Sequence, residues 1–192
     1  MAGDIQTTSG SKFWISDGAT AATTDTLAEY EALTWVEVGM IEDLGSVGDV
    51  STEVTGASIG DGRVRKAKGA RNAGTMNIIC FHDWTDVGQL ALIEAEGTND
   101  NYAFKIELAD GPPSPGTNSF QYFRGLVMSK EMRLGTNDNI MRRAFNVGVN
   151  SPIIEDIATV GALRAGASGE TGDQSTTSTT QTPKEPVRAD AR

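Results

Sequence analysis

The chain has 192 residues, is 38% hydrophobic and 6% aromatic, and carries a formal net charge of −10. This is enough for one well-filled core, and the acidity opposes a broad nucleic-acid-binding face, because phosphate contacts need clustered Lys and Arg without acidic neighbours. A lone cysteine, Cys80, excludes an intrachain disulfide, and no stretch approaches the ~20 apolar residues of a membrane span.

Met1 to Gly10 lacks the basic start and apolar centre of a signal peptide, so the chain is expected to be made and kept in a cytoplasm. Period-two alternation then dominates. Residues 13–16, 34–42, 47–59, 75–82, 102–109, 119–134 and 139–150 read as strands, with Gly, Asn or Asp at most boundaries. The clearest is 102–109, where Tyr102, Phe104, Ile106 and Leu108 point one way and Ala103, Lys105, Glu107 and Ala109 the other. Several of these runs exceed the usual strand length of ~5–6 residues. They must bend, bulge or project as hairpins, and Gly56, Gly60, Gly62, Gly125 and Gly148 are plausible bends.

One segment breaks the pattern. Asp83 can cap a helix from Trp84 to Glu96, with Trp84, Val87, Leu90, Ala91 and Ile93 as its apolar stripe and Gly97 ending it. A short turn at 30–33 is the only other helical signal. The pentapeptide Gly97-Thr-Asn-Asp-Asn101 recurs as Gly135-Thr-Asn-Asp-Asn139, which reads as two independent uses of favoured turn chemistry. From Ala158 to Arg192 the sequence is largely Gly, Ala, Ser and Thr with no aromatic residue, and is expected to be a flexible tail. The organisation expected is therefore a domain over 1–157 and a tail over 158–192. Four cations and four anions cancel in the tail, so the whole −10 falls on the domain.

The candidate chemistry is sparse. Cys80 and His82 share one face of a strand, but two ligands do not complete a zinc site, and neighbours along a strand meet poorly as a nucleophile pair. A core thiol and a polar edge histidine are expected, and neither a metal nor a cofactor. The stretch Gly56-Ala-Ser-Ile-Gly-Asp-Gly62 precedes basic residues as phosphate loops do. It lacks the Gly-Lys-Ser/Thr ending and does not run into a helix. No enzymatic set emerges, and the chain reads as a non-enzyme.

Charge segregation is the most informative feature. Eleven of the first 62 residues are acidic and only Lys12 is basic, after which Arg63, Arg65, Lys66, Lys68 and Arg71 put five positive charges into nine residues. The run lies between the extended stretches 47–59 and 75–82, as a loop of about 15 residues on a long hairpin arm. Five cations on an arm of an acidic domain have a target in a second copy of that domain.

The aromatic opening strand Lys12-Phe-Trp-Ile-Ser16 is followed by Trp35-Val-Glu-Val-Gly-Met-Ile-Glu-Asp-Leu-Gly45 leading into the arm. Then come Gly74-Thr-Met-Asn-Ile-Ile79, the Asp83 helix and closing strands that end at Ile153-Ile-Glu155. Over roughly residues 10–157 this order resembles the major tail tube proteins of long-tailed, siphovirus-like bacteriophages. The resemblance implies a mainly β fold, a β-sandwich or barrel-like tail tube domain with one flanking α-helix and a long extended hairpin arm. It implies stacked hexameric rings that form a virion tail tube and conduct DNA into the host cell. DNA would pass the lumen without specific binding, and assembly would take place in the host cytoplasm. Tape-measure, tail terminator and distal tail proteins are the implied partners. The arm, through Arg63, Arg65, Lys66, Lys68 and Arg71, would contact the adjacent ring. The competing reading is a secreted or surface β-sandwich module that binds carbohydrate. The missing signal peptide disfavours it, as does the expectation that all three Trp residues belong to the core.

Overall fold

The computed structural model describes residues 5–20, 25–112 and 116–160. The strands are β1 (Lys12–Ser16), β2 (Trp35–Val38), β3 (Ile41–Asp43), β4 (Val50–Ser58), β5 (Asp61–Asn72), β6 (Thr75–Phe81), β7 (Tyr102–Glu107), β8 (Gly116–Thr117), β9 (Phe120–Arg133), β10 (Arg142–Val149), β11 (Ile154–Asp156) and β12 (Thr159–Val160); the helices are α1 (Leu27–Glu31) and α2 (Val87–Glu96). The fold is mainly β, as expected. The tail expected over 158–192 lies outside the described residues except for its start, where β12 pairs with β8.

Eight strands form one antiparallel sheet in the order β2-β1-β7-β9-β10-β6-β3, with β11 also on β9. Two long stretches make it curl. The first half of β9 pairs with β7, up to Gly125 opposite Tyr102, and its second half pairs with β10, from Gly125 opposite Val149. The stretch 35–43 does the same at the other end: β2 pairs with β1 and, two residues on, β3 pairs with β6. The two ends of the sheet are thus joined by continuous chain, and two four-stranded layers face each other across one core, β2-β1-β7-β9 against β9-β10-β6-β3. The bend in β9 needs a glycine, because a Cβ on Gly125 would sit 2.5 Å from the Gly148 carbonyl oxygen. The stretch 34–42, read as one strand, is broken at Gly39-Met40, and Met40 takes a φ of 57°.

The inward positions fill the core. Phe104 stacks between Phe13 and Phe123 with ring centroids 5.7 and 5.4 Å away, and Met76, Ile78, Phe145 and Val147 complete the floor from β6 and β10. Each such side chain contributes about 1.5–3 kcal/mol by leaving water. α2 covers the core through Leu92 and Ala95.

The helix starts later than the sequence indicates. Asp86 is its N-cap, accepting from the Gln89 amide at 2.7 Å, while the Asp83 carboxylate accepts from the amide and hydroxyl of Thr85 in a local turn. The buried face is also different: Gly88, Gln89, Leu92 and Ala95 face inward, while Trp84 is 77% exposed and Val87 and Leu90 face solvent. Two small-scale requirements select that face. Gly88 lies so close to β2 that a Cβ would meet the Glu37 carbonyl oxygen at 2.2 Å, and the Gln89 side-chain Nε2 donates to the Phe81 carbonyl at 2.9 Å. The expectation of three core tryptophans therefore fails at Trp84; Trp14 and Trp35 are half-buried.

A second helix stands where only a turn at 30–33 is expected. α1 is capped by Thr26 in a reciprocal capping box with Glu29, and it seats Tyr30 on the outer face of the sheet against Ala103 and Tyr122. The two copies of the Gly-Thr-Asn-Asp-Asn pentapeptide differ in backbone: Gly97 is right-handed at the end of α2 and Gly135 has a φ of +67°.

Gly88→Ala is expected to lower the unfolding free energy by ~1–3 kcal/mol, the usual cost of overpacking, by pushing α2 off β2. Chemical denaturation of the two proteins measures it, and equal midpoints would refute the close approach.

Candidate assembly interface

β4 and β5 form a two-stranded sheet of their own, joined at Ile59-Gly60 with Ser58 opposite Asp61. The basic run expected on a loop of about 15 residues is therefore on a strand. Its pattern, Arg63-Val-Arg-Lys-Ala-Lys-Gly-Ala-Arg71, buries neither face, so apolar alternation could not announce it. The backbone ladder and exposed ion pairs hold it, with no core beneath. At ~3.3 Å per residue, strands of nine and twelve residues make an arm roughly 30–40 Å long.

The five cations are not equivalent. Arg65 pairs with Asp61 at 2.7 Å, Lys66 with Glu53 at 2.9 Å, and Arg71 with Asp49 at 3.6 Å. Arg63 and Lys68 have no carboxylate within salt-bridge distance among the described residues. With Asp49, Glu53 and Asp61 against five cations, the arm over 49–72 carries +2, and the rest of 1–157 carries −12. Val50, Val54, Ile59 and Val64 are exposed on the arm. A two-stranded hairpin with no core is marginal in water and gains most from a partner surface.

The body offers open strand edges. β7 stops pairing with β9 at Gly125, so the edge of 126–133 turned away from β10 meets no strand among the described residues, although α2 packs on β9 and its Glu96 pairs with Lys130 at 2.6 Å. Among the described residues β3 pairs only with β6, and its other edge meets no strand. Unpaired strand edges are templates for a further strand. On the adjoining outer face, Asn77, Asn146 and Ser129 form a side-chain ladder across β6, β10 and β9, with bonds of 2.6 and 2.8 Å.

The other layer's outer face is occupied from within the chain. Lys105 Nζ lies 4.3 Å from the Trp14 ring centre and 5.1 Å from that of Trp35, and burial lowers its pKa. Arg124, 3% exposed, pairs with Asp25 at 2.7 Å beneath α1 and stacks on Tyr30. The sequence gives no sign of this buried arginine beyond its alternation with Tyr122 and Leu126. The strand edges are invisible to it, since they depend on which partner each half of β9 takes.

No family model and no curated protein matches the sequence. Solved structures do match the fold. The SPP1 tail tube, determined by solid-state NMR and cryo-EM, aligns over 81% of this chain and 81% of its own, with a TM-score of 0.50 and 14% identity. A chain of the anti-feeding prophage baseplate aligns over 77% of this chain and 91% of its own, with a TM-score of 0.53 and 7% identity. At these identities the likeness is one of fold, and the fold is that of the tail tube.

The groups singled out for chemistry are dispersed. The Gly-rich stretch 56–62 is the tip of the hairpin and enters no helix. Cys80 is fully buried in the core, and His82 lies past the end of β6, its amide donating to the Met141 carbonyl at 3.0 Å. Burial, reinforced by the charge of Asp86 and opposed by Arg143, pushes the Cys80 thiol up from an ordinary 9.0 to about 12. A thiol-reactive disulfide reagent at pH 8 is therefore expected to leave the folded protein unlabelled and to label Cys80 stoichiometrically in guanidinium. The sign of the linkage follows: the stabilisation is present below pH 9 and is lost as pH rises from 9 toward 12. Rapid labelling of the native state would contradict the burial.

Proposed function

We propose that this chain is a structural subunit that assembles with copies of itself into a tube, as stacked hexameric rings of a virion tail through which DNA passes into the host cell. The observation that carries the reading is the arm: a 30–40 Å hairpin, poor in internal support, positively charged on an acidic body. The tail tube fold supports it. So do the open edges of β9 and β3, which a neighbouring copy can cover, giving each subunit the head-to-tail contacts that a ring or a stack requires. An edge that endangers an isolated subunit becomes an interface in a closed ring.

Arg63, Arg65, Lys66, Lys68 and Arg71 are the inter-ring contact in this proposal. Arg63 and Lys68 lead it, because the other three already have partners on the arm. Excess negative charge on the body disfavours lasting contact with phosphate, so DNA would slide through without specific binding. Tape-measure, terminator and distal tail proteins would occupy the bore and close the ends. Assembly would occur in the host cytoplasm.

Concentrated protein viewed by negative-stain electron microscopy is expected to show tubes or six-membered rings. A strictly monomeric species at all concentrations would overturn the proposal. Arg63→Glu with Lys68→Glu is expected to leave the circular dichroism spectrum and melting temperature unchanged and to reduce tube yield at least tenfold at low salt. The deficit should narrow as added salt screens wild-type attraction. Equal polymerisation of variant and wild type across salt concentrations would remove charge from the mechanism.

A further inference from the structure

The arm leaves from one end of the β9-β10-β6-β3 layer, and the other end carries an apolar patch that nothing among the described residues covers. β3 runs antiparallel to β6, with Ile41 opposite Cys80 and Asp43 opposite Ile79, so the chain leaving β3 heads back toward Thr75. There the base of the arm, Asp49 and Arg71 to Ala73, shares a cleft with Val149 to Pro152. The opposite pole is built from three segments tied by hydrogen bonds. The Phe81 amide donates to the Met40 carbonyl at 2.9 Å, the His82 amide to the Met141 carbonyl at 3.0 Å, and the Gly39 amide to the Asp86 carboxylate at 3.0 Å. Met40, Trp84, Val87, Leu134, Ile140 and Met141 are all half or more exposed at this pole, with Trp84 the largest.

We infer that this pole receives the arm of a second copy of the chain. The inference rests on the tube reading and names the surface on which the arm acts. Three features fit the pairing. Arm and patch lie at opposite poles, as a head-to-tail contact requires, since the surface that docks and the surface that accepts must be different and must face each other on successive copies. The arm brings exposed Val50, Val54, Ile59 and Val64, which match an apolar acceptor. The charges are also complementary. Arg142 is taken by Glu42 and Arg133 by Glu131, which leaves Asp83, Asp86 and Asp138 against Arg143, a surplus of negative charge facing an arm of +2. Thr85 donates two hydrogen bonds to the Asp83 carboxylate and holds its pKa low, so this anion stays charged. The apolar contact supplies area and the charges orient it.

The test uses the full chain with Ile59→Cys, or separately Val54→Cys, labelled with a benzophenone maleimide; buried Cys80 stays unlabelled. Equal amounts of isotope-labelled and ordinary protein are mixed, assembled and irradiated, and links between chains are mapped by mass spectrometry. Links from the arm to 82–90 or 134–143 of another chain are expected. If rings or tubes form but the inter-chain links fall only on other surfaces, such as α1 or the β1–β7 face, this inference is wrong and the tube reading stands. A protein that stays monomeric and yields no inter-chain link removes both. As an independent arm of the test, Trp84→Glu with Met141→Glu alters only exposed side chains. It is expected to keep the wild-type melting temperature and to lower tube yield at least tenfold along with the links. Wild-type assembly by this variant would overturn the proposed acceptor.

Discussion

The structure depends on two strands that change partners halfway along. β9 leaves β7 for β10 at Gly125, and 35–43 leaves β1 for β6 at Gly39-Met40. Each layer alone would be an open sheet with one wet face and two long edges. Sharing its corner strands, each layer turns its apolar face to the other, and one core of Phe13, Phe104, Phe123 and Phe145 serves both. The corners also determine what remains outside. A strand that changes partner halfway frees half of each edge; β11 takes one such half on β9, and closing the core leaves 126–133 and β3 each with an edge that meets no strand among the described residues. Core and assembly surface are two results of one constraint.

The two outer faces are then treated differently. Over β1, β7 and the first half of β9 the chain covers itself, with α1, a lysine among aromatic rings, and an arginine buried on Asp25. A buried pair of that kind is costly to break, since either partner alone would be a buried charge without compensation, and it serves to hold α1 in one place. Over β6, β10 and the second half of β9 the outer face carries an amide and hydroxyl ladder, with Arg142 paired to Glu42 and Arg133 to Glu131 nearer the far pole.

Much of the fold was legible in the sequence wherever a face is buried. Tyr102 to Leu108 alternates because the core takes every second side chain, and the observed strand agrees within two residues. β5 was not legible because neither of its faces meets the core, and backbone pairing leaves no periodic trace in side-chain polarity. The helix phase went wrong for a related reason. Trp84, Val87 and Leu90 form a larger apolar stripe than Gly88, Gln89, Leu92 and Ala95, but close approach to β2 rewards the absence of a side chain at Gly88 and a hydrogen bond from Gln89, and a hydropathy pattern counts neither. The same error concealed the exposed patch, since residues assigned to the core are not available to a partner. Of the arm's site, the sequence displayed the charges but could not display their pairing.

That pairing changes what the charges can do. Three of the five cations on the arm face carboxylates on the arm itself, in exposed pairs each worth about 0–1 kcal/mol. Moving such a cation to a carboxylate on another copy exchanges one weak pair for another and gains little net affinity. The long-range field is different: it depends on the surplus of two charges, which internal pairing does not alter, and it acts before contact. Electrostatics on this arm should therefore govern how fast and in which orientation copies meet. How long they stay must come from surface removed from water, and the exposed valines and Ile59 of the arm, with Met40, Trp84, Val87, Leu134, Ile140 and Met141 at the far pole, are apolar groups placed to provide it.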